Sequence, residues 1–149
     1  MGFSHLDKSG KAKMVDISDK PIIKREAVGR GEILLSSKTV KAIRDKKVPK
    51  GDVLTVAKIA AIQAAKKTSE LIPMCHPLPI SNVGLEFEIK KDRIIVEAQV
   101  KGEARTGFEM EALAASSIAC LTIYDMCKAV DKNMVIQNIR LVRKWKAEK

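Results

Sequence analysis

The segment "VGLEFEIKKDRIIVEAQVKGEA", Val83–Ala104, decides the fold. Val83, Leu85, Phe87 and Ile89 alternate with other residues, the period of a half-buried strand. "KDR" is suited to a hairpin turn, and the alternation resumes at Ile94, Val96, Ala98 and Val100. A paired antiparallel unit therefore lies in the middle of the chain, with helical patterns on both sides. Upstream, Ile33, Leu34 and Leu35 predict a strand. Ser36 then caps a helix through "KTVKAIRDKK". After the breaker "VPKGD", Asp52 caps a second helix, "VLTVAKIAAIQAAKKTSEL". That helix is apolar on most faces and is expected to pack against more than one partner. Downstream, Thr106-Gly107-Phe108-Glu109 fits a capping box. It would open a long helix, "EMEALAASSIACLTIYDMCKAV", that frays near Asn133, before a last strand, "MVIQNIRLVRKW". This order predicts an α+β fold, an antiparallel sheet with helices packed on one face. The other sheet face is left to be covered, which points to an oligomer.

The 149 residues suit one domain, 1–149, with residues 1–20 as a polar segment wrapping over the surface. Hydrophobic content of 46% with 31% charged residues excludes a disordered chain. No apolar run approaches a membrane span, and "MGFSHLDKSGKAK" has no signal-type apolar centre, so a cytoplasmic protein is expected. Cys75, Cys120 and Cys127 lack CxxC pairing and read as reduced thiols, the last two at core spacing. The net charge of +10 attracts polyanions, either nucleic acid, phosphorylated metabolites or an acidic membrane surface. Aromatic content of 3% speaks against a base-stacking platform, and the expectation is neither nucleic acid nor membrane.

The chemistry concentrates in two places. In "LIPMCHPLPISN", Leu71–Asn82, three prolines brace Cys75 and His76. A metal pair, a nucleophile with its base, and a stiff binding loop all fit that motif. A metal site is disfavoured because His5 is the only other histidine and no second ligand pair has zinc spacing. Adjacent side chains on an extended loop point apart, so thiol and imidazole would not meet. Two readings stay open: Cys75 packs inward while His76 faces out, or the prolines freeze the loop beforehand and hold His76 and nearby backbone amides against a ligand. There is no GxxxxGK[ST] nucleotide loop. "GEARTGFEMEA" brings Gly102, Arg105 and Gly107 to a helix N-terminus, an anion site or an ordinary capped helix.

The second place is the long helix. Glu109 is assigned to capping, which leaves Glu111 free. Asp125 and Lys128 form an i,i+3 pair, and Asp125 interrupts "IACLTIYDMC", where a partly desolvated carboxylate is expected. Glu111 and Asp125 are 14 residues apart and are read as facing nearly the same way. They would be roughly 21 Å apart along the axis. One small substrate could not touch both in one chain, so a shared reaction implies a site built from two subunits.

Together "KMVDIS", "KGDVLTVAKIAAIQAAKKTSELIPMCHPLPIS", "TGFEMEALAASSIACLTIYDMCKAV" and "MVIQNIRL" resemble the molybdenum cofactor biosynthesis protein C family of cyclic pyranopterin monophosphate synthases. The resemblance spans nearly the whole chain. Met74 stands where Leu is usual and Phe108 where a smaller aliphatic is usual. The resemblance implies a ferredoxin-like fold and conversion of 3′,8-cyclo-7,8-dihydro-GTP to cyclic pyranopterin monophosphate with release of pyrophosphate. It also implies a homohexamer, a trimer of dimers with sites at the dimer interface. It makes Asp125 and Lys128 the catalytic pair, with Lys50 as a further base or phosphate contact. Met74, Cys75, His76, Met110 and Glu111 would line the substrate, and Arg25, Lys20, Lys66 and Asp16 would surround it. No cofactor is expected. A divalent cation such as Mg could assist, although no acidic cluster supplies a dedicated site.

Overall fold

A computed structural model describes residues 2–148. The elements run β1 (Ile23–Leu34), α1 (Ser37–Arg44), α2 (Val53–Lys66), α3 (Thr68–Leu71), β2 (Ile80–Ile89), β3 (Arg93–Ala104), α4 (Glu109–Cys127) and β4 (Val135–Lys146). The strands form one antiparallel sheet in the order β2-β3-β1-β4. This is an α+β, ferredoxin-like arrangement, with the central strands contributed by both halves of the chain.

The hairpin of β2 and β3 closes where expected, with the Lys90 amide donating to the Arg93 carbonyl at 2.9 Å. Ala27, Ile33, Ile94, Val96, Ala98 and Val100 are buried on the helix-covered face, beneath Ala112, Ala115, Ala119 and Ile123 of α4. Helix α2 lies against α4 and β2. Its alanines Ala57, Ala61 and Ala65 are buried, which lets the two helices approach closely.

Strand β1 begins ten residues before the Ile33–Leu35 run that signals it in the sequence. Gly29 and Gly31 hide the pattern. Both lie on the helix side, where a bulkier residue would not fit. A Cβ on Gly29 would lie 2.5 Å from the Ala112 carbonyl oxygen, and one on Gly31 would press on Ile139 and on the Cys120 thiol at 3.2 Å. Helix α4 therefore crosses β1 on two glycines. Gly29→Ala is expected to cost about 1–3 kcal/mol, because helix backbone rather than a flexible side chain must yield. Urea unfolding measures it, and parental stability would refute the packing argument.

Both expected caps on the early helices are present. Ser36 accepts from the Thr39 amide at 3.2 Å, and Asp52 accepts from the Thr55 amide at 3.3 Å. Three boundaries differ from the sequence reading. The second helix does not run unbroken to Leu71. The Thr68 hydroxyl donates to the Ala64 carbonyl at 2.8 Å, the chain loosens at Lys67, and α3 follows as a separate turn. The capping box at Thr106 is not formed. Phe108 is the N-cap and makes no side-chain cap bond, while Glu109 is inside the helix and 3.7 Å from Lys144. Helix α4 ends at Cys127, with Lys128 as its C-cap, well before Asn133. The following turn is tied back by the Asp131 amide to the Cys127 carbonyl at 3.0 Å, and the Asp131 carboxylate accepts from the Ser36 amide at 2.9 Å.

The reading that no segment approaches a membrane span also needs correction. Helix α4 is long and apolar enough by length and composition. Half of it is buried among α2 and the sheet, as the core helix of a folded domain would be. The described residues before Lys20 are mostly exposed. Arg105 donates to the carbonyls of Ser18 and Lys20 at 2.9 and 2.7 Å.

Candidate active site

Two clusters sit at opposite ends of α4. At its C-terminal end, Asp125 is 3.1 Å from the Lys128 amine and 3.3 Å from the Lys50 amine. Lys50 comes from the turn between α1 and α2, where Gly51 takes a left-handed φ of 120°. Lys50 also donates to the Asp125 main-chain carbonyl at 2.9 Å, placing positive charge on the negative end of the helix. The hydrogen bond from Lys128, and then that from Lys50, hold the Asp125 carboxyl below its ordinary range. Asp125 is therefore a carboxylate at neutral pH, bridging two ammonium groups.

Asp125 is not desolvated. Its side chain is 59% exposed, because it leaves the helix away from α2 and the sheet while its neighbours Ile123, Met126 and Cys127 turn inward.

At the other end of α4, Glu111 is 3% exposed and its Oε2 has no hydrogen-bond partner among the described residues. The Cys75 thiol is 3.8 Å from Oε1. Burial pushes the Glu111 carboxyl above its ordinary range. Burial first, and the neighbouring Glu111 second, push the Cys75 thiol up to about 11. At neutral pH Cys75 is an un-ionised thiol, unsuited to nucleophilic attack. The buried thiols of Cys120 and Cys127 are likewise raised, to about 12 and about 11, and all three cysteines are unpaired.

Glu111 and Asp125 thus do not share an environment, although 14 residues of helix turn them nearly the same way. The Pro-braced loop covers the helix only at the Glu111 end. In that loop Cys75 and His76 do point apart. The His76 Nε2 lies 2.7 Å from the Val15 carbonyl, which can only accept, so Nε2 carries a proton. The imidazole is partly occupied in holding the N-terminal segment. Asp16 follows Val15, its carboxyl lowered by the Ser18 hydroxyl and amide.

The remaining candidates are dispersed. Arg25 donates to the carbonyls of Ala104 and Arg105 at 3.2 and 3.3 Å and borders a hollow of about 240 Å³ with Glu109 and Lys144. Lys66 lines a separate depression of about 410 Å³ with Ile62, Leu78 and Ile80. The Lys20 side chain is exposed, as is Met110, whereas Met74 is half-buried. Arg105 does not stand open for an anion, because it anchors Ser18 and Lys20. That strap and the Glu109–Lys144 pair escaped the sequence reading, since nothing in the spacing links Lys144 to α4. No group of three or more His, Cys, Asp or Glu side chains is placed for a metal ion among the described residues.

The Glu111 shift has a testable sign. A carboxyl whose folded pKa is raised contributes stability while protonated and loses it as pH rises through that pKa. Stability of the parent relative to Glu111→Gln is expected to fall as pH increases above the usual carboxylate value of 4.5. Urea titrations of both proteins between mildly acidic and mildly alkaline pH provide the check, and parallel curves would contradict it.

Comparison with known proteins places these clusters in context. The model of the MoaC family matches residues 14–147. The chain is 52% identical over 143 residues to a cyclic pyranopterin monophosphate synthase of Heliobacterium modesticaldum, covering 95% of this chain and 90% of that protein. It is 51% identical over 144 residues to one of Peptoclostridium acidaminophilum, covering 97% and 92%. It is also 54% identical over 144 residues to a molybdenum cofactor biosynthesis bifunctional protein of Chlorobaculum tepidum, covering 97% of this chain and 46% of that longer protein.

Proposed function

The chain belongs to the MoaC family, and from that premise we propose that it converts 3′,8-cyclo-7,8-dihydro-GTP to cyclic pyranopterin monophosphate, releasing pyrophosphate, in molybdenum cofactor biosynthesis. The observation that carries the reading is the Lys50–Asp125–Lys128 cluster, assembled from two distant segments inside a chain about half identical to named synthases.

Opening the purine's five-membered ring and closing a pterin ring needs several proton transfers, and amines and acids held at fixed positions supply them. Lys128 is the proton carrier. Asp125, held ionised, orients Lys128 and Lys50. Positive charge from Lys50, Arg25 and Lys20 stabilises the triphosphate as the cyclic phosphate forms and pyrophosphate leaves. The reading assigns no resident cofactor, and a divalent ion such as Mg would arrive with the triphosphate. Met74, Cys75, His76, Met110 and Glu111, with Lys66 and Asp16 nearby, receive the base and sugar.

The two clusters are separated along α4 by roughly 21 Å, too far for one small substrate within one chain. We therefore place each site between two chains, the Lys128 end of one α4 meeting the Glu111 end of another. The trimer-of-dimers hexamer and the cytoplasmic setting belong to the same reading, with neither nucleic acid nor membrane as partner.

Incubation with the cyclised GTP intermediate tests the activity. Pyrophosphate, and a fluorescent pterin after oxidation, should appear together, and neither appearing would end the proposal. Subunit mixing tests the shared site. Lys128→Ala and Glu111→Ala proteins, each inactive, should regain partial activity once chains exchange, to at most about a quarter of the parent if exchange is random. No regain despite demonstrated exchange counts against composite sites.

A further inference from the structure

Strand β4 ends in Arg143, Lys144, Trp145 and Lys146, an aromatic ring set among cations. Trp145 is the one tryptophan of the chain, and it is 53% exposed. Its place in the sheet fixes the side on which the indole stands. Lys144 is opposite the buried Ala27 and meets Glu109 of α4, so it leaves β4 on the helix side. Trp145 is opposite Glu26 and leaves on the other side, at the corner of the sheet.

Two hollows adjoin that corner. One, of about 240 Å³, is lined in part by Glu109, Lys144 and Lys146. The other, of about 250 Å³, is lined in part by Lys24, Lys101 and Glu103. Arg25, Glu26 and Trp145 line both. Two of these three shared groups are held in place. Glu26 accepts from Gln99 and Arg143 at 2.7 and 3.0 Å, which leaves its carboxylate compensated. Arg25 donates through Nε and Nη2 to the Ala104 and Arg105 carbonyls, which leaves Nη1 without a hydrogen bond among the described residues.

An exposed tryptophan by itself is ordinary surface. Here the indole borders the same hollow as an anchored arginine with one free arm. Glu109 of that hollow precedes Glu111 by two residues, so this is the end of α4 that receives the base and sugar in the proposed reaction. A purine or pterin ring is flat, and an indole offers it a large rigid face to stack on. The phosphates of the same nucleotide need a charged donor, which the arm of Arg25 supplies. Few aromatic residues rule out a platform for a row of bases, but one nucleotide needs only one ring.

We propose that Trp145 is a substrate-contacting residue that stacks on the guanine-derived ring, with Arg25 Nη1 directed to the phosphates. This assignment rests on the proposed reaction, whose substrate carries that ring, and adds a contact outside the groups named for it.

With one tryptophan in the chain, indole fluorescence reports Trp145 alone. Excited at the red edge of its absorption, where tyrosine and guanine do not absorb, the parent protein is expected to dim on titration with GTP. Inorganic tripolyphosphate, which carries the charge without the ring, should leave the emission unchanged. No response to GTP, or an equal response to both, overturns the proposal. Turnover of the cyclised GTP intermediate supplies the second measurement. Trp145→Phe keeps a flat ring and should hold KM near the parental value. Trp145→Leu keeps apolar bulk without a ring and should raise KM about 5–150-fold with kcat little changed, the loss of one stacked base. A parental KM for the leucine variant overturns the proposal, as does an equal rise in both variants, which would mean packing rather than stacking. If the leucine variant does not fold, the comparison of GTP with tripolyphosphate on the parent decides. A parent that turns over the intermediate but shows no GTP response loses the stacking role and keeps the synthase reading. A parent without turnover loses the synthase reading, and the fluorescence comparison still judges Trp145.

Discussion

Lys128→Ala is expected to lower turnover of the cyclised GTP intermediate by about 10²–10⁴-fold, the range for loss of a general acid or base. Its fold should survive. Lys128 is the C-cap of α4 with a side chain 58% exposed, and it gives up an ion pair at the surface rather than any buried contact. Surface pairs of this kind are worth about 0–1 kcal/mol. Lys128→Arg separates charge from proton transfer. It keeps a cation within reach of Asp125 but cannot release a proton near neutral pH, so it should remain nearly as inactive as the alanine variant. Substantial turnover by the arginine variant would reduce Lys128 to electrostatic positioning, and full turnover by the alanine variant would remove it from the mechanism. Pyrophosphate release under single-turnover conditions measures both.

Phe108→Ala is expected to cost about 3–5 kcal/mol of stability. Phe108 is 0% exposed and is the largest fully buried side chain among the described residues. Its ring lies over Gly102, where an added Cβ would be 2.7 Å from Cζ, so the ring occupies the space that glycine leaves on β3. Truncation would open a cavity that rigid strand backbone cannot collapse to fill. For a chain of this size the loss corresponds to a fall in melting temperature of about 10 °C. Phe108 is also the first residue of the α4 cap, so loosening should extend to Glu109 and Glu111. Activity should therefore decline below the melting transition, through weaker substrate binding more than through slower chemistry. A melting temperature within a degree or two of the parent would show that the ring is not the keystone of this end of α4.

The same two ends of α4 show how far the sequence could be read. The β2–β3 hairpin, the Ser36 and Asp52 caps and the final strand were legible because each rests on a local signal, either two-residue alternation or an oxygen beside a helix start. The early part of β1 was not legible, because Gly29 and Gly31 carry no apolar side chain, and their meaning lies in α4, some eighty residues away. The Thr106 capping box failed for a related reason. Burial of Phe108 and the Arg105 strap set where the chain turns into the helix, overriding a local preference worth only about 1 kcal/mol. Asp125 was read as desolvated because its neighbours in sequence are apolar. In space those neighbours turn inward and Asp125 turns out.

Local order in the sequence by itself determined the α+β class, the position of the hairpin and the order of the helices, the chemical groups at Lys50, Asp125 and Lys128, and the opposed directions of Cys75 and His76. Only the tertiary structure decided that Lys50 joins the other two, that Glu111 is sealed beside a thiol, that His76 holds Val15, and that Arg105 straps Ser18 and Lys20. Backbone periodicity acts over a few residues and is written in residue order. Solvation and charge pairing act between surfaces, and chain folding brings those surfaces together from positions that no spacing connects.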